Sequence, residues 1–237
     1  MVSGDFYYYL ATLPTPGELG SEPPVSPAQL LELVANQRDL SESLRALFLR
    51  NDLLQRESLL AGEVAEAKPI VLTPAQARNE APLPAYLVRK ADDSPMRIVP
   101  VDDLWELYFR RAILVARQSR CAFLAAWVGR EVAVRNALVI ARAERLGLEA
   151  KDYVVATDLE GPEEEPSSLI SEWESATDPL AGTRVLIRAE WAWVAEHAGW
   201  FKFNLDEIVA YAAQLVLLER WQRLAETLPA ETGASSH

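Results

Sequence analysis

A chain of 237 residues, half of them hydrophobic and seven of them tryptophan, is long and apolar enough to bury a core of its own, which excludes disorder for the bulk. The 35 acidic against 23 basic residues leave a formal charge of −12, with arginines interleaved among carboxylates and no basic stripe, which excludes nucleic acid as a partner. One cysteine, Cys121, excludes an internal disulfide framework or a Cys-rich zinc site, and the most apolar stretch, Ile208 to Leu218, is about half of the roughly 20 residues a membrane span needs.

The opening residues lack the positive start and long apolar run of a signal peptide, so a cytoplasmic location is expected, with a membrane reached only through a partner. Phe6-Tyr7-Tyr8-Tyr9-Leu10 suits a short buried strand or a first helical turn, and ends at Pro14-Thr15-Pro16-Gly17. Ser26 caps a helix with Pro27 at its first position, where the missing N–H costs nothing. Its apolar face is Leu30, Leu31, Leu33 and Val34; the pattern restarts at Asp39-Leu40-Ser41 and runs through Leu44, Leu47, Phe48, Leu54 and Leu59 to a stop at Gly62.

Between Lys68 and Pro100, Pro69, Pro74, Pro82, Pro84, Pro95 and Pro100 forbid one long helix and predict short helices and connections. Asp102 or Asp103 opens the next helix, with Leu104, Leu107, Tyr108, Leu114 and Val115 inward. The longest uninterrupted pattern follows, from about Arg120 to Leu146, with Phe123, Leu124, Trp127, Val128, Val132 and Leu138 on its buried side and Gly147 as terminator. Residues Asp158 to Pro166, with Glu163, Glu164 and Glu165, read as a solvated acidic loop.

Thr177-Asp178-Pro179 starts a helix with Leu186, Ile187, Trp191 and Val194 inward, His197 in its last turn and Gly199 beyond it. Asn204 and Glu207 read as a capping box for a last helix carrying Ile208, Tyr211, Leu215, Leu218 and Trp221 and stopping near Pro229. The periods are helical throughout, so the fold expected is all-α: one helical domain over 1–237, divisible into lobes at 1–95 and 96–230, with a flexible tail at 231–237.

Phosphate-loop, nucleophile-elbow and H-E-x-x-H patterns are absent, and His197 and His237 are the only histidines. One motif points to an enzyme. Asp102-Asp103-Leu104-Trp105-Glu106 has the D-D-x-x-E form with which class I terpene synthases hold magnesium against a diphosphate. It follows Pro100-Val101, so the aspartates read more economically as N-terminal acids complementing the helix dipole, and the second metal motif of those enzymes is missing downstream. The chain is therefore expected to be no enzyme, with neither catalytic residues, metal nor cofactor.

Glu131-Val132-Ala133-Val134-Arg135-Asn136, then Leu138, then Arg142 to Gly147, resembles the repeated helix of the V/A-type ATPase subunit called C in prokaryotes and d in eukaryotes. Glu131, Asn136, Arg142 and Gly147 fall at the matching places, and Ala133 stands where that family has an aspartate. Leu104-Trp105-Glu106-Leu107-Tyr108-Phe109 resembles the helix leading into the repeat, and Phe203 to Tyr211 the closing segment with its Ala-Tyr pair. Glu219-Arg220-Trp221 and the start, Tyr7 to Pro14, look most like divergent bacterial relatives of unknown function encoded beside V-type ATPase genes.

The resemblance spans residues 100–225 and the N-terminal stretch. It implies a helical bundle of repeated units like the C/d funnel, in shortened form, acting as a non-enzymatic rotor subunit in ion transport. Its partners would be the central shaft and the proteolipid ring, and its location peripheral to the membrane through the ATPase complex. The signature residues Glu131, Asn136, Arg142, Gly147, Tyr211, Arg220 and Trp221 would be structural. Glu131 and Arg135, four apart, read as a surface pair; Asn136 and Arg142 read as anchors of a neighbouring turn through buried hydrogen bonds. The rival in the binding class is a free-standing helical adaptor.

Overall fold

The computed structural model describes residues 4–89, 97–161 and 166–226. Among them the secondary structure is helical with no strand: α1 (Gly4–Thr12), α2 (Pro27–Leu33), α3 (Arg38–Leu60), α4 (Pro74–Ala77), α5 (Pro100–Ser119), α6 (Ala122–Leu146), α7 (Ser167–Glu174), α8 (Pro179–His197) and α9 (Leu205–Glu226), with single 3-10 turns at Ala85–Leu87, Ala150–Asp152 and Thr157–Leu159. No helix among the described residues is long and apolar enough to cross a membrane.

The layout follows from how apolar each helix is around its circumference. α9 is buried on nearly every side from Leu205 to Leu218, so it can only be central. It packs against α3, α6 and α8, with α1 and α2 across its flank. Ala210, Ala212 and Ala213 let those neighbours come close. α5 is amphipathic and lies over α3 and α6, burying Trp105, Tyr108, Phe109 and Ala112 on one side. One contiguous apolar cluster runs from Leu30 to Leu217.

The boundaries have local causes. Ser26 accepts from the Gln29 N–H while the Gln29 side chain accepts from the Ser26 N–H, and Pro27 opens α2. Asp178 accepts from the Ala181 N–H at 2.8 Å above Pro179, and Gly147 ends α6 in the left-handed region at φ +67°. α5 turns into α6 through Arg120, also left-handed, with the Cys121 thiol accepting from the Leu124 N–H.

Of the two alternatives for the aromatic start the helical one is found: it is α1, with Phe6, Tyr9 and Leu10 leaning on the core and Tyr7 and Tyr8 exposed. Two expectations are corrected. α5 begins at Pro100 with Val99 as N-cap, so Asp102 and Asp103 lie inside its first turn and do not open it. Asn204 accepts from the Glu207 N–H, but Glu207 does not close the box; its carboxylate accepts from the N–H groups of Phe201 (2.9 Å) and Phe203 (2.7 Å). Positive φ at both phenylalanines turns those N–H groups toward it. α7 is an addition: short, Ser-rich and without a side-chain cap, it carries little periodic signal. Pro95, the acidic residues Glu163 to Glu165, the stop near Pro229 and the tail at 231–237 lie outside the described residues.

Candidate functional site: a buried ion-pair cluster and its cavity

Polar groups at four places on the apolar stripes of long helices meet at the centre of the bundle. Arg50 lies on α3 between Leu47 and Leu54, three and four residues away, and so faces the core with them. Glu190 stands on α8 in the same relation to Ile187 and Val194. α6 contributes Arg130 and Glu131, and α9 contributes Arg220. None of the five side chains is more than 14% exposed.

Arg50 bridges both carboxylates: it is paired with Glu131 through Nη2 and with Glu190 at 3.4 Å through Nη1. Arg220 reaches the second Glu190 oxygen at 2.8 Å, and Arg130 reaches the second Glu131 oxygen at 2.9 Å. Aromatic rings complete the shell, with Arg50 over Trp127 and Arg130 over Trp193. The cluster thus ties α3, α6, α8 and α9 together.

Its charges are unequal, three guanidiniums against two carboxylates. Burial would raise the Glu190 carboxyl, but Arg50, Arg220 and Arg130 outweigh it and hold the group down at about 2. For Glu131 burial wins and the carboxyl is pushed up, because Glu190 nearby opposes a second negative charge. Burial also lowers the Arg220 guanidinium.

A cavity of about 170 Å³ lies beside the cluster. Arg50, Arg130, Glu131, Glu190 and Arg220 line it, with Arg135 and Arg142 from the next turns of α6 and an apolar wall that includes Trp105 and Phe109. Arg135 donates to Asp102 at 2.8 Å and lies over Trp105, while Arg142 lies exposed over Trp173.

The surface pair expected between Glu131 and Arg135 is therefore not formed. Glu131 is buried and turned toward α3, and Arg135 is turned toward α5, each taking a partner far away in sequence. Asn136 is buried: its amide donates to the Val155 carbonyl (2.8 Å) and to Glu160 (2.7 Å) and accepts from the Val155 N–H (2.9 Å), holding the turn after α6. Arg142 makes no such bond among the described residues; it points to solvent between the buried Ala141 and Ala143 and finds only the Trp173 ring.

The Tyr211 hydroxyl donates to the Pro14 carbonyl at 2.9 Å and ties α9 to the segment after α1. Trp221 packs by Gly20 under Arg184 and Arg188. Gly147 is the α6 terminator.

The D-D-x-x-E carboxylates are all engaged by cations or backbone donors. Asp102 takes Arg135, Asp103 takes Arg89 and Arg97, and Glu106 takes Arg97 (3.0 Å), Arg110 (2.8 Å) and the Ala156 N–H (2.6 Å). Among the described residues no three His, Cys, Asp or Glu side chains converge as metal ligands.

Arg50, Arg130 and Glu190 were not singled out from sequence. The signal for two of them is a charge placed on an apolar stripe, Arg50 in α3 and Glu190 in α8. A second such case is Asp52, fully buried and accepting from the N–H groups of Ile70 (2.9 Å), Val71 (2.6 Å) and Leu72 (2.8 Å), which straps the segment after α3 to its parent helix.

Comparison with protein-family models, with curated proteins and with solved structures finds no match for this chain. Fold and site together define a class only: an all-helical protein organised around a buried, arginine-rich ion-pair cluster.

Proposed function

We propose that this chain is a non-enzymatic coupling subunit of a bacterial V/A-type ATPase, of the C/d kind, joining the central shaft to the proteolipid ring. The observation that carries the reading is the meeting of Glu131 and Arg220. They belong to the two separate segments that resemble that family, and each is bound into one cluster through Arg50 and Glu190. The two resembling segments thus form one structural unit. A torque-bearing subunit must be stiff, and a close-packed bundle cross-tied by charged groups from four helices supplies stiffness.

A surface suited to contact with other chains accompanies the rigid centre. Tyr7 and Tyr8 on α1 and Trp200 and Phe201 after α8 are exposed, and the Tyr7 ring meets Phe203 at 5.1 Å, which places these aromatics at one end of the bundle. Exposed aromatic clusters of this kind mark association surfaces. The −12 charge suits basic partner surfaces by long-range attraction.

The test is affinity purification of the tagged full chain from detergent-solubilised membranes of its own cell, with identification of what co-elutes. Shaft and proteolipid-ring subunits in stable proportion are expected. Elution free of every ATPase subunit would overturn the reading in favour of a free-standing adaptor.

A further inference from the structure

The cavity next to the cluster has a composition that the scaffold does not require. Five guanidiniums line it, from Arg50, Arg130, Arg135, Arg142 and Arg220, against the two carboxylates of Glu131 and Glu190, in a chain whose total charge is −12. A bundle that needed only cross-ties would match its buried charges, because an unbalanced buried charge is costly. Here three buried guanidiniums face two carboxylates, and the surplus borders open space.

One cation at that space has no anionic partner: the exposed Arg142 makes no ion pair among the described residues. The cavity, about 170 Å³, is far larger than the ~10–15 Å³ that one water requires, and it meets solvent beside the exposed Arg142. Trp105 and Phe109 make part of its wall apolar and aromatic.

We propose that this cavity binds a phosphate group, free or carried on a small organic molecule, with Arg142 at the entrance and Arg220, Arg50 and Arg135 within. Guanidiniums suit this ligand because their planar forks donate pairs of hydrogen bonds to an oxyanion and keep their charge at any physiological pH. The anion supplies the missing negative charge and an acceptor for the Arg142 guanidinium. Glu131 and Glu190 keep Arg50 and Arg220 fixed and Asp102 holds Arg135, so that the site exists before the ligand arrives. The inference concerns the isolated chain and stands independently of any assembly into a rotary motor.

The experiment titrates the purified full chain with inorganic phosphate and, separately, with phenyl phosphate, against sodium chloride of equal ionic strength, by calorimetry and by the thermal midpoint. One saturable site and a raised midpoint with phosphate but not with chloride are expected. Phenyl phosphate binding more tightly than the inorganic ion assigns the site to an organic phosphate using the aromatic wall; equal affinities assign it to the free ion. Arg142 is exposed, so Arg142→Ala and Arg142→Glu will fold; they should weaken binding about tenfold and abolish it, respectively. Heats no different from chloride, or affinities unchanged in both variants, would overturn the proposal.

Discussion

Glu190 and Arg220 form a 2.8 Å ion pair between α8 and α9 in which neither side chain is more than 14% exposed. The pair is one half of an arrangement with an odd charge, since Arg50 also serves Glu190 and Arg130 serves only Glu131. Removing a carboxylate should therefore hurt more than removing an arginine. Glu190→Gln leaves three buried guanidiniums on one carboxylate and is expected to cost about 3 kcal/mol or more. Arg220→Met relieves the surplus while breaking the pair, and should cost clearly less. Urea midpoints of the two variants check the order, and the reverse order would refute this account of the cluster.

Asp52 gives a pH dependence with a definite sign. Burial pushes its carboxyl from the ordinary 3.8 up to about 6, against the pull of three backbone N–H groups and of Arg223. The folded chain then holds a proton that the unfolded chain has released between those values. Stability from this group is present at the acid end of the window and falls as pH rises from about 4 to 6, by on the order of 3 kcal/mol, and is flat above. Glu190 works the other way and lower down: held at about 2, it withdraws its stability as pH falls from 4.5 toward 2. Unfolding midpoints of the parent and of Asp52→Asn, compared at pH 4.5 and 7, isolate the first effect; an identical pH response in both would remove Asp52 from the explanation.

Much of the fold was legible because the long helices carry their own punctuation. Gly147 closes α6, Pro27 and Pro179 open α2 and α8, and the apolar run of α9 marks a central helix. The site was not legible to the same depth. Local spacing pairs Glu131 with Arg135, and that preference, worth a few tenths of a kcal/mol on a solvated face, is overridden when α3 and α5 bring Arg50 and Asp102 to a buried face. Arg50 and Glu190 are visible as charges on apolar stripes, yet nothing in the chain order says that they will meet, 140 residues apart. α7 was missed because it buries no residue fully; it rests on the close approach of Trp173 to Gly182, which no local pattern announces.

Asn136 is the residue whose amide cannot be replaced by a near relative. It satisfies both backbone groups of Val155 and also donates to Glu160, all in buried or half-buried surroundings. Asn136→Ala leaves the Val155 N–H and carbonyl unpaired and is expected to cost about 2–3 kcal/mol. Asn136→Asp keeps an acceptor for the N–H but turns a negative charge on the Val155 carbonyl and the Glu160 carboxylate, so it should be at least as damaging. Amide exchange at Val155 should quicken in both variants. A stable Asn136→Asp protein with unchanged exchange would show that the turn after α6 is held by something else.

Phe201 separates stability from association. It is 84% exposed and sits at φ +65°, a conformation that costs a non-glycine residue roughly 1–2 kcal/mol, with its N–H fixed on Glu207. The positive φ serves the Glu207 contact, but the exposed ring itself supports nothing in the fold, so under the coupling-subunit proposal this end of the bundle is the expected contact surface. Phe201→Gly keeps the N–H bond and removes the strain, so it should raise the unfolding free energy by about 1 kcal/mol. The same change removes the ring and should weaken co-purification with rotor subunits. Gain of stability together with unimpaired assembly would move the contact surface elsewhere, and a loss of stability would show that the ring supports the fold.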